Sequence, residues 1–134
     1  MLDLLFAKPS LDSLPEAEIQ LVRTLRLWAV IRQSGQCPTR AVAERLGSLR
    51  AAAHLQLLLE EVAAVWPEAF AVSPLCCRRL SHDEALLAEM LRLGRLGDRP
   101  AFDRLLAEMI PADARERLFV SAKVLSRYLS TPDD

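Results

Sequence analysis

The chain is poor in several things that would announce a function. No apolar run approaches the length needed to cross a bilayer, which excludes a membrane-spanning helix. Residues Met1 to Ala7 are apolar but carry Asp3 and are too short for a signal peptide. Cytoplasmic residence is therefore expected. There are 3 cysteines, an odd number, and Cys76 and Cys77 are adjacent, so a disulfide-stapled secreted scaffold is not expected. The chain has no C-x-x-C pair and no His-x-x-x-His or Glu-x-x-His spacing. It also lacks a G-x-S-x-G elbow, a Walker loop and a dinucleotide fingerprint. These absences argue against an enzyme with a local catalytic motif. No bound cofactor and no small-molecule substrate are inferred. The formal charge is -1, with acidic and basic residues spread evenly. No segment forms the basic footprint that attracts nucleic acid without regard to sequence.

What remains is rich in Leu and Ala, with 51% hydrophobic and 5% aromatic residues. Leu and Ala are strong helix formers. Ser13 and Glu16 are spaced as a capping box, Pro15 suits a first turn and Gly35 a helix end, predicting a helix from Pro15 to Ser34. Its expected apolar face holds Ile19, Val22, Leu25, Leu27, Val30 and Ile31, with Arg23, Arg26 and Arg32 opposite. Thr39 is placed to cap a short second helix that Gly47 ends. Ser48 opens a third, which Pro67 stops after Trp66. Ser81 and Glu84 form another capping box, opening a fourth helix that Gly94 and Gly97 weaken at its far end. Pro100 starts a fifth, containing Leu106, which Pro111 breaks. A sixth runs from about residue 112 to 129. The expected architecture is all-α, a compact orthogonal or irregular bundle of five to six helices. Residues 13–130 form its single domain, between an N-terminal tail, 1–12, and a loose C-terminus, 131–134. Leu4, Leu5 and Phe6 give the tail something to pack with. The near-identical runs Leu86–Met90 and Leu105–Met109 suit paired helix faces, but no longer repeat surrounds them.

Three functional readings follow. The favoured one is a non-enzymatic structural or protein-interaction domain that self-associates, with a homodimer or another protein as partner. Leu21, Leu27, Trp28, Val120 and Val124 fall outside a narrow apolar face, more than one small domain buries. The second reading is a helix-turn-helix regulator using residues 39–60. Thr39–Ser48 resembles the first helix and turn of that motif, and Arg50, His54 and Gln56 would face DNA. The even charge makes nucleic acid an unexpected partner. The third uses the Cys76–Cys77 corner, where Arg78 and Arg79 could favour a reactive thiolate. A zinc site there would draw on Cys76, Cys77, His82 and Cys37, or on His54 in place of Cys37. The expectation is instead reduced, metal-free cysteines, at least one of them packed between helices, and a solvent-facing His82.

The run Pro74, Cys76–Cys77, Arg79–Leu80, Asp83–Glu84 and Leu86–Leu87 resembles a segment of small helical proteins from alphaproteobacteria. In them a Cys-rich turn precedes a Leu-rich helix opened by an Asp-Glu pair. The resemblance implies one compact helical domain and brings no activity with it.

Overall fold

In the computed structural model, residues 10–129 are described. The tail residues Leu4, Leu5 and Phe6 and the segment 131–134 lie outside them. A 3₁₀ turn, Leu11–Ser13, leads into six α-helices: α1 Glu16–Gln33, α2 Thr39–Leu46, α3 Leu49–Val65, α4 His82–Leu96, α5 Arg99–Leu106 and α6 Ala112–Leu129. The described residues form an all-α bundle. The sole strand-like feature among them is one bridge between Ser10 and Arg79. No described helix is long and apolar enough to cross a membrane.

Local chemistry sets the helix starts. The Ser48 hydroxyl accepts from the Ala51 N–H at 3.1 Å, and Asp98 accepts from the Ala101 N–H at 3.1 Å. At α4 the Ser81 hydroxyl accepts from the Glu84 N–H at 2.9 Å, while the Glu84 carboxylate accepts from the Ser81 N–H at 2.9 Å. Two expected caps are not made. Ser13 belongs to the 3₁₀ turn and donates to the Ser10 carbonyl, so α1 begins after Pro15 without a side-chain cap. Thr39 lies one residue inside α2, whose cap position is Pro38. Helix α5 stops at Leu106, four residues short of the Pro111 boundary, and turns through Ile110.

The core fills with one face from each long helix. Leu21, Leu55, Leu58, Leu87, Leu91 and Leu118 are essentially inaccessible. Helix α6 lies along both α3 and α4. Phe102 meets Phe119 edge-on, with centroids 5.1 Å apart. Gly94, expected to weaken α4, is instead buried against α6. A Cβ there would lie 3.0 Å from the Lys123 backbone nitrogen, so only glycine permits this approach. Helix α1 is rotated relative to the expected face. Leu21 is buried and Val30 is 46% exposed, and Leu27 and Trp28 are half-buried.

Candidate functional site

The largest departure from the sequence reading is Arg26. It is fully buried rather than on the polar side of α1. Its Nε donates to Glu84 Oε2 at 3.0 Å and its Nη2 to Glu84 Oε1 at 2.9 Å. The remaining donors reach the Cys77 carbonyl at 2.6 Å and the Arg79 carbonyl at 3.0 Å. Glu84 also accepts from the Ser73 N–H at 3.0 Å. Burial pushes the Glu84 carboxyl up, but the hydrogen bonds from Arg26, Ser81 and Ser73 prevail and hold it below its ordinary value. The hydrogen bond to Glu84 in turn raises Arg26. Asp83 completes the knot. It accepts from the Trp66 indole at 3.1 Å and from the Ala71 N–H at 2.8 Å. The long connection between α3 and α4 is thus tied to α1 and to the first turn of α4.

The cysteine corner rides on this connection at the surface. Cys76 is exposed and Cys77 half-buried, so neither is fully buried. The Cys77 thiol lies 3.5 Å from the Arg79 carbonyl. His82 is exposed at the start of α4. Cys37 is exposed at the start of α2, where its sulfur lies 3.4 Å from the Thr39 hydroxyl. Hydrogen bonding by that hydroxyl and by the Thr39 N–H lowers the Cys37 thiol. Among the described residues, no three His, Cys, Asp or Glu side chains are grouped to hold a metal ion. Cys76, Cys77, His82 and Cys37 therefore do not converge.

The three side chains that the helix-turn-helix reading would turn to DNA have different surroundings. Arg50 is exposed. His54 is half-buried and stacks on Tyr128, with centroids 5.0 Å apart. Gln56 accepts from the Thr39 hydroxyl at 3.1 Å and donates to Glu60 at 3.2 Å. His54 and Gln56 thus bind α3 to α6 and to α2. Tyr128 is 37% exposed.

The outward face of α3 mixes charged and apolar residues. Arg50, Ala53, Leu57, Glu60 and Ala64 are all exposed and recur at the three- and four-residue spacing that aligns one helix face. Leu57 is 49% exposed, and neighbouring Leu49 is 73% exposed. The sequence reading placed unburied apolar surface on the first and last helices. Only Val120, 50% exposed, stands out there from the expected set.

Two concave regions adjoin these elements. A broad cleft of about 1290 Å³ includes Arg23, Arg45, Arg95 and Arg127 in its walls. Arg95 is already paired with the buried Glu18, with a second contact at 3.0 Å. A smaller groove of about 360 Å³ lies between α1, α3 and the connection that follows α3.

Compared with known proteins, the chain matches no protein family, no curated protein and no solved structure at a significant level.

Proposed function

We propose that this chain is a non-enzymatic helical interaction domain that self-associates through the outward face of α3. The observation that carries this reading is the order of residues on that face. In an antiparallel pairing of two copies centred at the level of residue 55, Arg50 meets the partner's Glu60, and Ala53 meets the partner's Leu57. The charges are complementary, and a small residue faces a large one, which lets the helices approach. Such a contact is isologous, so each pairing occurs twice. The engagement of His54 and Gln56 within the fold favours this reading over duplex recognition.

Sedimentation velocity across micromolar concentrations tests it. The native chain should sediment as a dimer, and Leu57→Glu as a single 15.0 kDa species. Arg50→Glu should weaken the dimer, and adding Glu60→Arg to that variant should restore it. A native chain that stays at 15.0 kDa throughout rejects the proposal. So does a charge swap that leaves association as weak as in Arg50→Glu.

A further inference from the structure

Cys76 and Cys77 are consecutive, and the turn that carries them is pinned on its Cys77 side. The Cys77 N–H donates to the Pro74 carbonyl at 3.1 Å, and the Cys77 carbonyl accepts from Arg26 at 2.6 Å. The next two carbonyls are also held, that of Arg78 by the Leu11 N–H at 2.7 Å and that of Arg79 by Arg26 at 3.0 Å. Neither cysteine is fully buried. Arg26, raised chiefly by its hydrogen bond to Glu84, is raised further by Cys77 and Cys76, so both sulfurs lie within electrostatic reach of one guanidinium. Geometry decides what such a pair can hold. A disulfide joins Cα atoms about 4.4–6.8 Å apart. Consecutive Cα atoms across a trans peptide are only about 3.8 Å apart, and no described peptide bond is cis. Closing that bond would drag the Cys77 carbonyl off Arg26. One atom inserted between the sulfurs relaxes the demand, because two bonds of about 2.3 Å, as in zinc thiolates, span more than one S–S bond of about 2.05 Å. Zinc itself needs three or four protein ligands. The only other thiol in the chain is Cys37, and among the described residues no third metal-binding side chain is grouped with the pair. Copper(I) accepts two thiolates but prefers them in a line, on opposite sides of the ion. Trivalent arsenic takes them at close to a right angle, as neighbouring residues of one turn can offer them.

We propose that Cys76 and Cys77 together bind a monosubstituted trivalent arsenical, in which arsenic carries one carbon group and two hydroxyls. The two exchangeable positions of such a centre match the two thiols, and its third position asks nothing of the chain. Each thiol displaces one hydroxyl. Two As–O bonds break and two As–S bonds form, and each thiol proton leaves with a hydroxyl as water. Arsenic stays trivalent, so the step needs no oxidant or reductant. The carbon group remains on arsenic, at a corner open to solvent. The site is separate from the outward face of α3 and does not depend on self-association.

Native mass spectrometry of the reduced full chain tests this, with phenylarsine oxide as the probe. The chain should gain one phenylarsenic group in place of two hydrogens, and peptide mapping should find it on the peptide carrying Cys76 and Cys77. The adduct should persist in excess glutathione, a monothiol, and be released by dithiothreitol, a dithiol. Cys76→Ser and Cys77→Ser should each lower the glutathione needed for half-release by ~100-fold or more, the scale on which a second, tethered bond strengthens the first. Cys37→Ser should behave as the native chain does. The proposal is overturned if glutathione strips the native chain as readily as the Cys76→Ser and Cys77→Ser variants. It is equally overturned if Cys37→Ser abolishes the adduct. Oxidised glutathione should leave the pair reduced in the folded chain. Loss of two hydrogens from the Cys76–Cys77 peptide under that treatment would show that the turn accepts a direct disulfide, and would overturn the choice of a bridging centre.

Discussion

Arg26 and Glu84 lie 58 residues apart in sequence and form a bidentate ion pair with both side chains fully shielded from water. Each also holds backbone of the connection between α3 and α4, through the Cys77 and Arg79 carbonyls on one side and the Ser73 N–H on the other. Taking a charge into the interior is tolerable only when its partner and remaining hydrogen-bonding positions are supplied, as they are here.

Removing one member of the pair should be far worse than removing a surface charge. Arg26→Met should destabilise the fold by about 3–5 kcal/mol, because it strands the Glu84 carboxylate in a dry site. Urea denaturation measures this directly. Adding Glu84→Gln to Arg26→Met should cost less than the two single changes summed, since the stranded charge then disappears. Strict additivity would show that the two residues act independently.

Stability should fall in acid through Glu84. Its carboxyl is held below the ordinary value of 4.5, so the unfolded chain binds the proton first as pH drops. The contribution is complete above that value and is lost as pH falls through the lower, native value. Denaturation midpoints measured from neutral pH into this window should decline more steeply for the native chain than for Glu84→Gln. Parallel pH profiles would refute the assignment.

The three thiols should label in a definite order. Cys37 and Cys76 are exposed in the native fold, whereas Cys77 is half-buried behind the carbonyl that Arg26 holds. A chromogenic disulfide reagent near neutral pH should modify Cys37 first, because hydrogen bonding to Thr39 lowers its thiol. Cys76 should follow, with Cys77 last. Peptide mapping at timed intervals reads the order.

Gly94 should tolerate no side chain. Gly94→Ala normally favours a helix interior, by ~1 kcal/mol on intrinsic propensity. Here the added methyl would meet Lys123 and Ala122 backbone atoms at 3.0 and 3.1 Å. The net change should be a destabilisation of about 1–3 kcal/mol, as for other overpacked cores. A thermal melt shifted upward would show that α6 moves aside freely.

Much of the architecture was readable because helix signals are local. The Ser81–Glu84 box, Ser48 and the glycines at 47 and 97 each act within a few residues, and they bound α2, α3 and α4. Ser13 and Thr39 have the right chemistry at the right spacing, yet other partners captured them. Ser13 turns back to Ser10, and Thr39 reaches Gln56, 17 residues on. The buried role of Arg26 was not readable. On α1 it looks like any surface arginine, and only Glu84 reveals its direction. The partners of His54 and Gln56 were not readable for the same reason, since they lie on other helices. The cysteine pair stands out by composition, but the folded chain leaves Cys76 exposed and Cys77 half-buried. The signal that could have pointed to the real knot is Glu84 itself, read only as a cap.

The Arg26 knot also fixes how often the connection after α3 can be found undocked. Lifting it away would strip two carbonyls from Arg26 and an amide from Glu84, and would open the ion pair to partial solvation. If that disruption costs about 3 kcal/mol, the undocked population stays below about 1%. Phe70 and Val72 are then held in place as a standing wall beside Trp28.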